Sequence, residues 1–237
     1  MNWTLTPAEW TALALSLKVA FWCTVASLLP AIAVAWLLAR REFPGKAAFD
    51  ALVHLPMVLP PVVPGYLLLL LFGHQGALGG WLHDSFGISF VFDWKGAVLA
   101  SAVMGFPLLV QPIRLALQMI DRRLENAART LGASPFDTFR TITLPLALPG
   151  VLIGALLAFS RSLGEFGATI TFVGNIEGET RTLPLAIYSS LHVPDGDAMA
   201  LRLVTLSIVI AFLSLLASNW LSRRATQRLG YERHADA

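Results

Sequence analysis

Cys23 is the only cysteine in the chain, so no intrachain disulfide can staple the fold, and a buried filler role is expected for it. Charge is scarce as well. Asp, Glu, Lys and Arg make up 14% of the residues, where a soluble domain carries about 25%. The pair Gly45-Lys46 is followed by Ala47, with no glycine at the required spacing ahead of it, and no other Gly-Lys-Ser/Thr occurs. A phosphate-binding loop is therefore missing, and ATP has no evident site on this chain. His-Glu-x-x-His and Gly-x-Ser-x-Gly are also missing, which removes the usual motifs of an intramembrane enzyme. No catalytic group is assigned. His74, His83 and Asp84 match no ligand spacing, so no metal is assigned either. The opening MNWTLTPAEW lacks the cationic stretch of a signal peptide, so the first apolar run is expected to stay as an anchor. No repeat, low-complexity tract or linker interrupts residues 1–237, and a single domain is expected.

What the chain has in quantity is apolar surface: 56% of its residues are hydrophobic. Runs free of Lys, Arg, Asp and Glu cover 19–39, 51–83, 96–113, 141–160 and 203–222. Each approaches or exceeds the ~20 residues that span hydrocarbon. The expectation is an all-α polytopic membrane protein with about five spans, near 11–39, 51–72, 96–118, 146–170 and 202–222, and a transmembrane core over about 11–222. The basic residues alternate in side. Arg40, Arg41, Lys46, Arg114, Arg122, Arg123, Arg129, Arg140 and Arg223 onward fall on one side; Lys95, Arg181 and Arg202 fall on the other. The positive-inside rule places the first group in the cytoplasm, with the N-terminus outside and the C-terminus inside. This pattern is a topology signal and carries no nucleic-acid reading.

Several spans carry features a plain anchor does not need. Residues 1–10 read as a short outer tail, and Lys18 follows near the outer end of span one, as a snorkelling lysine or as a cation near an anion's entrance. Span two holds Pro56, Pro60, Pro61, Pro64 and Gly65. Interior prolines each remove a hydrogen bond, so a kinked helix lining a path is expected, with Pro60, Pro61 and Pro64 at the kink. His54 reads as a satisfied bundle histidine. Residues 73–95 form an outer loop whose Trp81, Phe86, Phe90, Phe92 and Trp94 suit the membrane interface. In span four, Gly150, Gly154 and Ala158 recur every four residues, a face for close helix packing. SRSLGEFGATITF follows. Arg161 and Glu165 are spaced to pair, and Ser160, Ser162, Gly164, Gly167 and Thr169 add hydroxyls and points of close approach. Hydroxyls, backbone N–H groups and a guanidinium are what a passing oxyanion would need; a structural ion pair is the alternative. After the outer loop 174–182, LPLAIYSSLH at 183–192 is too short to span.

The longest polar segment, DRRLENAARTLGASPFDTFRTITLP at 121–145, lies between spans three and four. Leu124, Ala128 and Leu131 share a helical face, and Ala127 with Ala128 keeps that helix thin. Gly132 stands where a helix end takes positive φ. Ser134-Pro135 with Asp137 marks a second start, so a second helix is expected over 136–144, with a break at Pro145. Glu125 reads as an exposed charge. The spacing resembles the signature loop of ABC-importer permeases: Glu-Ala-Ala, three residues, Gly, nine residues, Ile-x-Leu-Pro. Ala127, Ala128, Gly132, Ile142, Leu144 and Pro145 are in register. Asn126 stands where that signature has Glu, and Glu125 lies one residue early. The resemblance implies a type I ABC importer permease fold, in which this cytoplasmic loop (Glu125, Asn126, Ala127, Ala128, Gly132, Ile142, Leu144, Pro145) couples to an ATPase subunit.

ALSLKVA at 14–20, LPMVLPPVVPGYLLLLLFG at 55–73 and RSLGEFGATITFVGNIEGETRTLPLAIY at 161–188, with the loop, look like the molybdate and tungstate permease subunits of bacterial ABC importers. That resemblance implies a homodimer in the inner membrane, two ATP-binding cassette subunits carrying ATP and Mg, a periplasmic molybdate-binding protein, and molybdate as cargo. No cofactor is expected on this chain. A permease for sulfate or another tetrahedral oxyanion is the rival within the class. A structural scaffold does not explain the register of the loop.

Overall fold

The computed structural model describes residues 4–194 and 196–228, and every regular element among them is a helix. In chain order these are α1 (Pro7–Arg40), α2 (Lys46–Val58), α3 (Val62–Phe72), α4 (Ala77–Phe86), α5 (Trp94–Met119), α6 (Arg122–Thr130), α7 (Pro135–Thr138), a π-helical turn (Phe139–Thr143), α8 (Leu144–Leu163), α9 (Gly167–Val173), α10 (Leu183–Ser190) and α11 (Asp197–Arg228). Four stretches are long and apolar enough to cross a membrane: Pro7–Arg40, Trp94–Met119, Pro135–Leu163 and Asp197–Ala217. The pair α2 and α3, counted together, makes a fifth.

Helix α1 is the spine. Its start packs Ala12 and Leu13 against Leu183 and Ala186 of α10 and Leu203 of α11. Its middle packs Leu15 and Val19 with Ala97, Ala100 and Met104 of α5 and Ala168 and Phe172 of α9. Its end places Ala31, Ala35 and Leu38 against Leu109, Ile113 and Leu117 of α5 and Ala147 and Val151 of α8. The small-residue face of α8 brings it onto α5 almost backbone to backbone. A Cβ on Gly154 would stand 2.7 Å from the Leu109 carbonyl oxygen, and one on Gly150 would stand 2.6 Å from that of Pro112.

The helix starts earlier than the apolar run predicts. Thr6-Pro7-Ala8-Glu9 is a capping box: Glu9 N–H donates to Thr6 Oγ1 at 3.3 Å and Thr6 N–H donates to Glu9 Oε2 at 2.6 Å. Residues 7–10 are therefore helix rather than outer tail. Glu9 is fully buried, and its Oε1 accepts from Arg202 Nε of α11 at 3.0 Å. Lys18 lies with Nζ 3.6 Å from the ring centroid of Trp94, a cation–π contact. His54 is held between the Asp50 carbonyl and Gln111 Oε1, at 2.9 and 3.0 Å, as a satisfied bundle histidine.

Two spans are interrupted, span two at the prolines where a kink is expected and span four short of its expected end. Span two is two helices meeting at 111°. Pro60 and Pro61 remove two successive donors, and Leu59 ahead of them takes the extended conformation (φ −72°, ψ 144°) that a following proline enforces. Span four ends at Leu163 instead of reaching 170; Gly164, Glu165 and Phe166 separate it from α9. The break expected at Pro145 is absent. The chain runs from α7 through the π turn into α8, and Leu144 N–H reaches back to Phe139 O. The wider turn takes up the donor that Pro145 lacks and the room its ring needs. The loop 73–95 contains α4, closed by Gly87 at φ +65°, and Trp81, Phe86 and Phe92 are exposed.

The contact between α5 and α8 is directly testable. Gly154→Ala forces a carbonyl and a methyl apart in a closely packed seam, where overpacking costs about 1–3 kcal/mol. A lowered melting temperature in detergent is expected; an unchanged one contradicts the close approach.

Candidate functional site

The two helix breaks lie against each other. A Cβ on Gly167 would stand 2.7 Å from Pro61 Cβ, and one on Gly65 would stand 2.7 Å from the Ala168 carbonyl oxygen. The starts of α3 and α9 therefore touch through backbone. Pro64 is buried in this contact, whereas Pro60, Pro61 and Gly164 are exposed. Irregular backbone inside apolar spans is stable only against protein or a water-filled cavity. The exposed side of the paired breaks needs one or the other.

Arg161 and Glu165 pair as their spacing predicts. Arg161 Nη1 lies 2.8 Å from Glu165 Oε2, with the side chains 33% and 1% exposed. Glu165 Oε1 accepts the Ala168 N–H at 2.9 Å, which satisfies one of the unpaired donors at the start of α9. That N–H is consequently not free for an oxyanion. The guanidinium is one-third exposed, and its charge is balanced by the carboxylate. Ser162 is buried against the Cys23 thiol of α1. Ser160 turns the other way and shares a hydrogen bond of 2.7 Å with Ser214 of α11. The break thus gathers Pro61, Arg161, Gly164 and Glu165, while Ser160 and Ser162 face neighbouring helices.

The polar loop 121–145 is built as its local signals imply. Asp121 Oδ1 caps α6 by accepting Arg123 N–H at 2.9 Å. Gly132 takes φ +94°, with Ala133 N–H donating to Ala128 O and Gly132 N–H donating to Arg129 O, both at 3.0 Å. This is a Schellman ending. Ser134 Oγ accepts Asp137 N–H at 3.1 Å and opens α7.

Glu125 is not the exposed charge expected. It accepts from Arg40 Nη2 at 2.9 Å and from Thr143 Oγ1 at 2.8 Å, and the Arg40 and Glu125 side chains are 8% and 14% exposed. One carboxylate ties α6 to the end of α1 and to the turn leading into α8. Removing one member of a buried pair typically costs about 3–5 kcal/mol. The other loop residues divide. Asn126 and Ala127 are exposed and Ala128 is half-buried; Ile142 and Leu144 are half-buried in the run into α8, away from the outer face of α6. Leu124, Leu131 and Phe136 are 50%, 89% and 68% exposed. Such apolar exposure on a polar loop marks a surface made to be covered. The apolar letters were visible in the sequence; the partners of Glu125, 85 and 18 residues away, carried no signal there. The His74 and His83 rings meet edge to face with centroids 5.5 Å apart, and among the described residues no cluster is able to hold a metal ion.

Comparison with known proteins is consistent in one direction. The family profile "Binding-protein-dependent transport system inner membrane component" matches residues 31–227. The molybdenum transport system permease protein ModB of Escherichia coli K12 is 58% identical over 226 residues, covering 95% of this chain and 99% of that one. Its counterpart in Haemophilus influenzae is 56% identical over 228 residues, covering 96% and 100%. A probable sulfate transport system permease protein, cysT, of Nephroselmis olivacea is 36% identical, covering 94% and 78%. Among solved structures, the inward-facing MetNI methionine ABC transporter superposes with a TM-score of 0.67 at 18% identity, covering 94% of this chain and 97% of that one. A bacterial ABC transporter for import of the acidic polysaccharide alginate superposes with a TM-score of 0.73 at 19% identity, covering 93% and 80%. At those identities the likeness speaks for the fold alone, which is that of type I ABC importer permeases. The chain belongs to the family of binding-protein-dependent transport system inner membrane components, with molybdenum transport permeases as near-full-length relatives.

Proposed function

We propose that this chain is the membrane-spanning permease subunit of an importer that moves molybdate, and tungstate with it, across the inner membrane. The observation that carries this is the 58% identity over nearly the whole length of a molybdenum permease. The chain itself hydrolyses nothing. ATP and Mg are held by two partner ATPase subunits, and a periplasmic binding protein delivers the anion to a dimer of this chain.

The geometry supplies a mechanism. The exposed Leu124, Leu131 and Phe136 and the thin Asn126–Ala127 surface form the part of the loop that an ATPase groove would cover. Because Glu125 joins α6 to Arg40 and Thr143, a push on α6 reaches the inner ends of α1 and α8 together. Helix α8 is about 30 Å long at 1.5 Å per residue. Its far end carries Arg161 and the break at Gly164. Movement at the loop is thereby delivered to the point where α3 and α9 meet. In the dimer the exposed Pro60, Pro61 and Gly164 face the path, and Arg161 offers hydrogen bonds to the passing oxyanion. The basic loops 40–50 and 121–145 and the C-terminal tail lie in the cytoplasm, and the N-terminus lies outside.

Uptake in cells lacking their own molybdate transport tests the substrate. Molybdate uptake that tungstate suppresses and excess sulfate does not is expected. Sulfate competing as well as molybdate would favour the reading that the cysT likeness supports.

Three predictions follow from this mechanism. Arg161→Ala is expected to abolish uptake while the complex still assembles with its ATPase, as read by uptake and pull-down; normal uptake with Ala at both Arg161 and Glu165 takes the pair out of transport. Gly132→Val places a β-branched residue at positive φ, and Ala128→Trp adds bulk beside the docking face. Each should strongly reduce binding-protein-stimulated ATPase activity in reconstituted complex, and full activity in both would remove this loop from coupling. In a Cys23→Ser background, Lys46→Cys should react with an impermeant thiol reagent only after the membrane is opened. Labelling from outside reverses the topology.

A further inference from the structure

A cavity of about 680 Å³ lies beneath the end of α1, between α6 and α7. Trp36, Arg40, Arg41, Arg122, Glu125 and Arg129 contribute to its lining. Four guanidiniums face one carboxylate, which leaves three positive charges uncompensated around one space. Among the described residues Arg40 alone of the four is ion-paired, through Nη2 to Glu125, and its buried Nε has no hydrogen-bond partner there. Arg41 stacks over Trp36 with its guanidinium carbon 5.6 Å from the ring centroid. Arg122 and Arg129 stand seven residues apart, two turns along one face of α6, and neither makes an ion pair among the described residues.

We propose that this cavity binds a phosphate group, presented by the headgroup of an anionic phospholipid. Converging guanidiniums match the oxygens of a phosphate in forked hydrogen bonds, and the unpartnered Nε of a side chain 8% exposed is such a donor awaiting an acceptor. The position selects a lipid. Arg40 and Arg41 end an apolar helix of 34 residues, and Trp36 lies one turn inside, where an indole marks the headgroup level. Basic clusters at the end of a span attract anionic lipid of the cytoplasmic leaflet. A headgroup seated there bridges α1 and α6, the same two elements that Glu125 joins. The cytoplasmic side rests on the orientation proposed above; the binding itself does not depend on the transported anion.

The test uses the purified complex with its ATPase subunits, stripped of lipid in neutral detergent. Dioleoylphosphatidylglycerol, dioleoylphosphatidylcholine or inorganic phosphate is added to the wild type and to an Arg41→Gln, Arg122→Gln, Arg129→Gln variant, which keeps the Arg40–Glu125 pair. Native mass spectrometry and melting temperature are read. Phosphatidylglycerol should be retained by the wild type, raise its melting temperature, and bind the variant roughly tenfold or more weakly. Phosphatidylcholine should not distinguish the two. Equal retention of phosphatidylglycerol by both proteins overturns the proposal. Equal stabilisation of the wild type by inorganic phosphate overturns the headgroup as the source. Loss of the ATPase subunit from the variant, with lipid retention unchanged, makes the cavity a protein contact and overturns the proposal as well. Each readout is independent of molybdate uptake, so failure here leaves the transport reading standing.

Discussion

The Glu125 carboxylate holds together parts of the chain that the membrane would otherwise keep apart. With Arg40 and Thr143 as its partners, it makes the short helix α6 an extension of α1 and α8 rather than a tethered loop. A loop held by its two chain ends alone could swing under load and dissipate a push. A nearly buried charge pair with a second hydrogen bond resists that, because separating it strands a guanidinium in a poorly solvated place. The outer face of α6 stays free to be covered, and the inner face is committed. This division of faces also explains a departure from the family signature. The glutamate one residue early is turned inward, and Asn126, at the signature position, is turned out.

At the other end of α8 the chain gives up helix twice at one place. Pro60 and Pro61 break span two, and Gly164 to Phe166 break span four. Neither break is isolated. Gly65 and Gly167 let the two backbones meet, so the starts of α3 and α9 support each other. The freed donor at Ala168 is satisfied by Glu165, whose charge is in turn balanced by Arg161. Each residue of this cluster settles a cost that the preceding one creates. The result is a place inside the apolar region where backbone and a guanidinium reach an open side.

Much of this was legible in the letters. Long charge-free runs marked the stretches that form the long apolar helices, since few polar groups can be placed in hydrocarbon. Gly132, Ser134 and the small-residue face of span four acted as their local chemistry requires. The Thr6–Glu9 capping box is equally legible in the letters, although hydropathy alone reads residues 1–10 as an outer tail. What could not be read were partners distant in sequence: Arg202 for Glu9, Arg40 for Glu125, and Pro61 for Gly167. Proline runs announce a break but not its angle, which depends on what the two halves pack against. The π turn before Pro145 was hidden for the same kind of reason. The sequence shows a proline that must be accommodated, and only the packed helix shows that widening one turn suffices.

The central claim is that the loop drives the membrane helices through the Glu125 pairing, and exchange of the two charges tests it most directly. The quantity is binding-protein-stimulated ATPase activity of the reconstituted complex, measured for Arg40→Glu, for Glu125→Arg and for both together. Each single change places like charges in contact and should lose most of the stimulation; the double exchange restores opposite charges and should recover a substantial part of it. Single variants stimulated as fully as the wild type would contradict the account.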